Sequence, residues 1–401
     1  MRIARATTQA VNGLTARWAG TVTDGTAFSA AGVWPLLAFL ADGAGGAARA
    51  ELADALGLPA DHAAGAAREL LTAMEAMPGL NSALGLWTKR TLELKEAWET
   101  GLPAEAHGVL TGDLGADRAV LDTWAGKRTG GLIERMPVEL TDGTAMVLAS
   151  AMALRTDWLR PFEEMPLWPT DGPWRGRTLV GLNRRSALLD RVGVADTPDG
   201  CVTELKVLGG HGVSVHLLLG EERMTPGQVL TAGVDILAGR HTVVPGPRLP
   251  YGDAGPGLRV EETWCVTPQP PTLSVRTVAY DVTAEHDLLE AHRLFGLTTA
   301  RDATRGHFPG VSDSPLAVGS ARQSALARFG ALGFRAGAVT AVAMVAGGGI
   351  PELRYVTTLA RATFDRPFGF LALDRRTRLV LAAGWVTDPK PYREDETSDQ
   401  W

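Results

Sequence analysis

Residues 333–349 form an almost uncharged run of small and β-branched side chains, which reads Gly333-Phe334-Arg335-Ala336-Gly337-Ala338-Val339-Thr340-Ala341-Val342-Ala343-Met344-Val345-Ala346-Gly347-Gly348-Gly349. Arg335 is the only charged residue in this run, and the next one along the chain is Glu352. An apolar, β-prone loop on the surface would promote aggregation, because such segments pair with exposed sheet edges. The sequence therefore predicts that a sheet of the same chain can accept this segment as a strand.

The length and composition are those of a globular protein, and they exclude some classes of function. The chain has 401 residues, of which 45% are hydrophobic and 21% are charged, so it can form one large domain or two smaller ones. The net charge is −6 and the basic residues are scattered, which argues against nucleic acid as the main partner. No apolar run is long enough to predict a membrane-spanning segment.

The N-terminus and the cysteines bear on the cellular compartment. Residues 1–8 include Arg2 and Arg5 but are not followed by an apolar core, so they do not resemble a secretory signal. We therefore expect a cytoplasmic protein. Cys201 and Cys265 are too few for a disulfide framework or a zinc site, and they predict free thiols, with a single bridge as the alternative.

Helices are predicted to dominate the first part of the chain. Val11, Leu14 and Trp18 recur at spacings of three and four, which places them on one helix face. Another helix is predicted over residues 47–56, because a glycine follows it as a C-terminal signal. The nearly continuous apolar run at 33–40 predicts a central, buried helix between these two.

Strands are predicted to dominate the remainder. Residues 145–154 are apolar throughout, which predicts a strand buried on both faces. From residue 202 onward, strand-like pieces alternate with turns, the last of them at 273–282, and a helix is predicted over 284–295. Residues 368–373 and 379–383 flank a polar turn and predict a hairpin.

The motifs of common enzymes are absent from the sequence. There is no GxSxG elbow, no Walker loop, and no GxGxxG after a predicted strand. Gly347-Gly348-Gly349 lacks the Lys-Ser/Thr pair that a phosphate cradle needs. His211 and His216 fall on opposite faces of a predicted strand, and His286 and His292 are poorly aligned on the predicted helix. We therefore predict that the chain is not an enzyme and uses neither a metal nor a cofactor.

Five motifs, in order and at similar spacing, resemble those of the serpin family along nearly the whole chain. They are Phe28-Ser29-Ala30-Ala31-Gly32-Val33, Asp122-Thr123-Trp124-Ala125-Gly126-Lys127-Arg128-Thr129-Gly130-Gly131-Leu132-Ile133, Val147-Leu148-Ala149-Ser150-Ala151-Met152-Ala153-Leu154-Arg155-Thr156-Asp157-Trp158-Leu159-Arg160-Pro161-Phe162, Phe308-Pro309-Gly310-Val311 and Phe364-Asp365-Arg366-Pro367-Phe368-Gly369-Phe370. The second is similar to the family's Asn-x-Trp-Val…Thr-x-Gly-x-Ile signature, and the third to its Asn-Ala-x-x-Phe-Lys-Gly-x-Trp-x-x-Pro-Phe stretch. The chain is identified as a serpin of bacterial type with an atypical hinge.

The resemblance implies an α+β fold of three β-sheets and eight or nine helices, with an exposed reactive-centre loop. No internal repeat or linker divides the sequence. Residues 1–390 are therefore predicted to form a single serpin domain, and residues 391–401 a charged, disordered tail.

The resemblance also implies a serine protease inhibitor that acts as a suicide substrate. A target protease cleaves the loop, the freed segment inserts into the main sheet as a new strand, and the acyl-enzyme is distorted before it can hydrolyse. The hinge of the inserting segment is predicted at Gly333, Phe334, Arg335, Ala336, Gly337, Ala338, Val339 and Thr340. Strand alternation turns Phe334 toward the core and Arg335 outward.

The sequence leaves two alternatives for the scissile bond, and each implies a different class of target protease. Family spacing places the bond near Gly347-Gly348, where small residues suit an elastase-like or subtilisin-like protease. Arg354-Tyr355 is the alternative, and it suits a trypsin-like protease. The inhibitor is expected to be a monomer, and the extracellular space is the alternative location, because the family is often extracellular.

The hinge departs from the family's inhibitory pattern. Ala331 stands where the family usually has Glu, and Phe334 where it has Thr or Ser. Inserting a large side chain into a packed sheet costs about 1–3 kcal/mol, and a barrier raised by about 1.4 kcal/mol slows insertion roughly tenfold. Slow insertion turns an inhibitor into a substrate, so a non-inhibitory serpin with a binding or structural role is the alternative function.

Control of sheet opening is predicted at Ser29, Ser150, Trp158 and Gln323. Ser29 and Trp158 match the family. Gly32, Ser150 and Gln323 stand where it commonly has Ser, Asn and His, which form a hydrogen-bonded latch. The two retained side chains also have simpler structural explanations. Ser29 can be a helix cap, and Trp158 can be a core residue.

Overall fold

A computed structural model describes residues 3–103, 106–136, 138–334 and 353–393 of the chain. The α-helices in these ranges are α1 (Arg5–Ala19), α2 (Ala30–Gly43), α3 (Gly46–Leu56), α4 (Ala60–Glu75), α5 (Glu96–Glu99), α6 (Leu114–Thr129) and α7 (Pro226–Ala238). Two short 3₁₀ helices lie at Leu189–Arg191 and Gly246–Arg248. The predicted helices at the start of the chain are thus confirmed, and Val11 and Leu14 on α1 are buried.

The strands lie mainly in the second part of the chain, as the sequence predicts, although three of them lie among the first six helices and α7 lies among the strands. They are β1 (Thr26–Phe28), β2 (Leu80–Lys89), β3 (His107–Leu110), β4 (Met146–Leu154), β5 (Thr156–Asp157), β6 (Glu163–Leu167), β7 (Leu179–Ser186), β8 (Val192–Thr197), β9 (Gly200–Leu208), β10 (Val213–Gly220), β11 (Val243–Pro245), β12 (Gly252–Gly255), β13 (Leu258–Cys265), β14 (Thr272–Val278), β15 (Tyr280–Asp287), β16 (Ser320–Phe329), β17 (Gly333–Phe334), β18 (Tyr355–Thr363), β19 (Phe368–Asp374) and β20 (Val380–Val386).

These strands form three main sheets, which confirms the predicted α+β architecture. The seven-stranded sheet has the order β1-β20-β19-β10-β9-β8-β11, and it contains the predicted hairpin β19–β20. The six-stranded sheet has the order β12-β13-β18-β14-β7-β6. The five-stranded sheet has the order β15-β16-β4-β2-β3, and the short strands β17 and β5 form a separate pair.

The five-stranded sheet is covered on both faces. On one face α2 contacts β2 and β4, and every α2 residue except Asp42 is buried. A helix that is apolar on all sides is stable only when it is enclosed, which explains the run at 33–40. On the other face α6 packs Leu121 and Ala125 against Val147 and Ala149 of β4. All positions of β4 are therefore buried, as predicted for residues 145–154.

The predicted helix over 284–295 is wrong. Residues 284–287 belong to β15, which pairs antiparallel with β16 from Tyr280 to Asp287, and the following residues form turns. The predicted strand at 273–282 is divided, because β14 and β15 lie in different sheets. Pairing with the long strand β16 determines the conformation here, since β15 is an edge strand with only one neighbour.

The C-terminal boundary also differs from the prediction. Pro391 forms a bridge with Leu179, and the Tyr392 amide donates to the Thr178 carbonyl at 2.9 Å, so the domain includes residues beyond 390. Residues 394–401 of the predicted tail lie outside the described ranges. Cys201 and Cys265 are both free thiols, as expected.

Helices long and apolar enough to cross a membrane are not found within the described ranges. Within the same ranges, no three or more His, Cys, Asp or Glu side chains lie close enough together to hold a metal ion.

Candidate functional site

The two central strands of the five-stranded sheet, β16 and β4, are parallel, and they separate toward one end. Their pairing runs from Ser320↔Val147 to Ala325↔Met152. β16 then continues to Phe329, without a paired residue on β4 beyond Met152. A strand that returned from the end of β16 through a tight turn would lie antiparallel to both neighbours. The space between the C-terminal ends of β16 and β4 therefore has the geometry of a position that another strand could fill.

The first two residues of the predicted hinge lie next to this position. Gly333 and Phe334 form β17, which pairs antiparallel with Asp157 and Thr156 of β5, immediately after β4. A Cβ added at Gly333 would lie 2.3 Å from the Thr156 carbonyl oxygen, so only glycine fits this close approach. The remaining hinge residues, Arg335–Thr340, and Gly347 and Gly348 lie outside the described ranges.

Phe334 is already in the protein core. Its side chain is 2% exposed, and its ring centroid lies 6.2 Å from that of Phe370 on β19. The predicted direction of this side chain, toward the core, agrees with the structure. The overpacking expected when Phe334 enters the sheet does not apply to this form, because the residue is buried before any cleavage of the loop.

A reverse turn of residues 330–332, the hinge turn, connects β16 to β17 and is held by three hydrogen bonds from one segment. Trp158 Nε1 donates to the Gly330 carbonyl at 2.8 Å, and the Trp158 amide donates to the Leu332 carbonyl at 2.8 Å. The Phe162 amide donates to the Ala331 carbonyl at 2.8 Å. Trp158 also packs on Phe329, with ring centroids 4.8 Å apart. The same side chain therefore fills the core and bonds to the hinge turn.

A carboxylate lies at the hinge turn as well. Glu164 accepts a hydrogen bond from the Ala331 amide, and burial raises the pKa of this carboxyl above its usual value. The nearby Lys390 and the Ala331 amide oppose that shift. Ala331 stands where the family's inhibitory hinge has Glu, and here the carboxylate comes instead from the neighbouring strand β6.

The residues predicted around the latch meet between α2 and the five-stranded sheet, where Ser29 bonds to both Gln323 and Gly32. The Ser29 amide donates to Gln323 Oε1 at 2.8 Å, and Gln323 Nε2 donates to the Ser29 carbonyl at 2.9 Å. Ser29 Oγ accepts from the Gly32 amide at 3.0 Å and donates to the Leu381 carbonyl at 2.6 Å, so the predicted helix cap is present. These bonds connect α2 to β16 and to the seven-stranded sheet.

Ser150 is placed beside the latch without joining it. It lies opposite Gln323 in the β4–β16 pairing. Its hydroxyl is buried and has no hydrogen-bond partner among the described residues. A Cβ added at Gly32 would lie 2.7 Å from Ser150 Oγ, so the glycine provides the space for this serine.

His286 is a residue of this region that the sequence did not indicate, because it was assigned to a helix. It lies opposite Gln323 on β15, and its Nε2 donates to the Ala27 carbonyl at 2.8 Å. Its ring stands edge-on to Trp18, with centroids 5.0 Å apart. Burial lowers the pKa of His286 below its ordinary value of 6.5, although the bond to Ala27 acts in the opposite direction.

The strand that follows the loop is held on both sides. β18 pairs antiparallel with β13 from Tyr355 to Ala362 and parallel with β14 from Leu359 to Thr363. The Arg354 amide donates to the Cys265 carbonyl at 3.0 Å, which extends the β13 pairing by one residue. The alternative scissile pair, Arg354-Tyr355, therefore lies at the beginning of a paired strand.

Comparisons with known proteins agree with this architecture. The family model described as serpin (serine protease inhibitor) matches residues 11–168. A protein named putative serpin-Z6C, from Oryza sativa subsp. japonica, is 25% identical over 397 residues, and the match covers 90% of each chain.

Solved structures show the same fold at lower identity. The native state of the thermophilic serpin tengpin superposes with a TM-score of 0.74 at 16% identity, covering 97% of this chain and 95% of that one. Thyroxine-binding globulin in complex with thyroxine gives a TM-score of 0.72 at 16% identity, covering 96% and 99%. The predicted serpin fold is thereby confirmed.

Proposed function

We propose that the chain is a member of the serpin family, whose model matches residues 11–168, and that it is a serine protease inhibitor that acts as a suicide substrate. One observation carries the proposal. β16 and β4 are parallel neighbours whose pairing stops at Ala325↔Met152, and β17 contacts β16 and pairs with β5, which follows β4. The prediction that the chain is not an enzyme agrees with the description of this family as protease inhibitors.

Loop insertion would extend β17. Residues from Ala336 onward follow β17 after Arg335, and their uncharged side chains can enter the interior of a sheet that is covered on both faces. The added strand would gain hydrogen bonds from β16 on one side and from β4 on the other. Arg335, next to the core-facing Phe334, would point to the opposite face of the sheet.

The chemistry belongs to the target protease. Its serine hydroxyl attacks a loop carbonyl, the peptide C–N bond breaks, and the proton passes to the leaving amine, which remains on the β18 side. The new ester joins the protease to the segment that follows β17. Insertion of this segment then competes with hydrolysis of the ester, and inhibition requires insertion to be the faster step.

The structure favours Gly347-Gly348 over Arg354-Tyr355 as the proposed scissile bond. A protease binds its substrate in extended form on both sides of the cleaved bond, and Tyr355 is already paired with Cys265. Cleavage after Arg354 would require the end of β18 to leave the sheet first. An elastase-like or subtilisin-like protease is therefore the proposed target.

The test is to incubate the protein with subtilisin, elastase and trypsin and to analyse the products on a denaturing gel. Inhibition predicts a covalent complex with the summed mass of the protease and the N-terminal fragment. Cleavage with no covalent complex for any protease would exclude inhibition of these three classes. A rise in melting temperature after cleavage would then show that insertion occurs but is too slow to trap the protease.

The second candidate function is a non-inhibitory serpin with a binding role. The anchored side chain of Phe334, where the family's inhibitory hinge has Thr or Ser, is the observation that favours it. Thyroxine-binding globulin, which has the same fold, binds thyroxine. This function predicts cleavage of the loop without any gain in melting temperature.

A further inference from the structure

A cleft with a volume of about 520 Å³ lies between α6 and the β2–β3 edge of the five-stranded sheet. It is open to solvent and is separate from the hinge turn and from the latch residues. Its aromatic and apolar lining includes Trp87 from β2 and Val120 and Trp124 from α6, and its cations are Lys127 and Arg128 near the end of α6.

The aromatic floor of the cleft is preformed. Trp87 pairs with Gly108 of β3, and a Cβ added at Gly108 would lie 2.3 Å from the Trp87 ring. A Cβ added at Gly85 would lie 2.7 Å from Trp87 Nε1. The two glycines therefore allow the indole of Trp87 to lie across the neighbouring strand. Trp124 meets it edge-on, with ring centroids 6.3 Å apart and an interplanar angle of 87°.

The mouth of the cleft has an apolar side chain, Val120, on one side and cationic side chains on the other. Val120 is 49% exposed, which is high for an apolar residue that faces a cleft. Lys127 is exposed, and within the described part of the chain its ammonium group forms no ion pair or hydrogen bond. The Glu99 carboxylate lies 3.3 Å from Nδ1 of His107, which also lines the cleft, on the β3 side.

We propose that this cleft binds a planar aromatic anion, such as an aryl carboxylate or an aryl sulfonate. The rings of the ligand would pack against Trp87, Trp124 and Val120, because flat apolar surfaces gain most from contact with aromatic faces. Its anionic group would lie beside Lys127 and Arg128. The site does not depend on the proposed inhibitory function, since it uses no residue of the loop or of its sheet position.

The experiment measures binding of 8-anilinonaphthalene-1-sulfonate to the full chain by fluorescence and by calorimetry. N-phenyl-1-naphthylamine, which has the same rings but no charge, is the reference compound. The proposal predicts one saturable site for the sulfonate and weaker binding of the neutral amine. Lys127→Glu and Val120→Glu are each expected to weaken sulfonate binding at least about tenfold.

Matched control variants separate this site from the rest of the surface. Val244→Glu alters another exposed valine, and Arg301→Glu reverses an exposed cation elsewhere. Both controls are expected to bind the sulfonate as the parent does. If Val120→Glu fails to fold, Thr123→Glu, also at an exposed position in the cleft, replaces it.

Two results would overturn the proposal. One is the absence of saturable sulfonate binding to the folded parent protein. The other is a sulfonate affinity that falls equally in the cleft variants and the control variants, or that falls in neither. Unchanged binding of the sulfonate by Lys127→Glu, together with equally tight binding of the neutral amine, would show that the cleft does not select an anion.

Discussion

Gln323 binds both backbone polar groups of Ser29, accepting from its amide at 2.8 Å and donating to its carbonyl at 2.9 Å. Both residues are almost fully buried. A side-chain amide thus satisfies a donor and an acceptor that the start of α2 would otherwise leave unpaired. The pair connects the central helix to β16, one of the two strands that would separate to admit the loop.

Gln323→Leu is expected to destabilise the protein, because it leaves the Ser29 amide and carbonyl buried without partners. Each unsatisfied group costs about 1–3 kcal/mol. The measurement is the melting temperature at a fixed scan rate. Gln9→Leu, at an exposed position on α1, serves as the control. Equal melting temperatures for the two variants would show that the Ser29–Gln323 pair does not stabilise the intact form.

Ser150→Ala is expected to raise the melting temperature. The buried Ser150 hydroxyl has no partner among the described residues, so its removal eliminates a desolvation cost of about 1 kcal/mol. Ser29→Ala is the comparison, since Ser29 Oγ makes two hydrogen bonds and its loss should lower the melting temperature. A marked decrease for Ser150→Ala would mean that the hydroxyl is satisfied in solution, for instance by a bound water.

Trp158→Phe is expected to loosen the hinge turn while keeping an aromatic ring in the core. It removes the bond from Trp158 Nε1 to the Gly330 carbonyl, which contributes about 1 kcal/mol. Trp174→Phe is a matched control, because Trp174 Nε1 donates to the Thr387 carbonyl at the same distance, 2.8 Å, away from the hinge.

The measurement for this pair is the ratio of covalent complex to cleaved product formed with an inhibited protease. We expect the ratio to change in Trp158→Phe and to match the parent in Trp174→Phe. A similar ratio in all three proteins would argue against a role for Trp158 in loop insertion.

The stability of the protein should decrease on acidification through His286. Burial lowers the pKa of this histidine in the folded state below 6.5, so the unfolded state binds more protons just below that pH. The stabilisation is therefore complete above about 6.5 and decreases as the pH falls toward the folded pKa.

The measurement is the drop in melting temperature between about pH 7.5 and about pH 5.5. His286→Gln keeps a donor for the Ala27 carbonyl and should show a smaller drop than the parent. His62→Gln, at an exposed position, is the control. An equal drop in all three proteins would assign the pH dependence to other groups.

The parts of the fold that could be predicted from sequence are those set by local pattern. The β19–β20 hairpin and the doubly buried strand β4 follow from alternation and from continuous apolar runs. Residues 284–287 of β15 are wrongly predicted as helix, because their conformation depends on pairing with β16, more than 30 residues further along the chain.

The family resemblance suggests candidate site residues but does not predict their geometry. The family resemblance indicated Ser29, Ser150, Trp158 and Gln323, yet it could not show which of them bond, since this depends on their distances after folding. The contact between Phe334 and Phe370 could not be predicted for the same reason, because Phe370 lies on a distant strand. No sequence signal indicated that β13 would pair with β18.

The position of β18 between β13 and β14 affects how readily the uncut loop could insert into the five-stranded sheet. An uncut loop is tied to this strand, so it can enter the five-stranded sheet completely only if β18 is pulled out of two ladders at once. An edge strand would have to leave only one. If the loop inserts as proposed, insertion of the uncut loop should therefore be slow at ordinary temperatures, because β18 must leave both neighbouring strands.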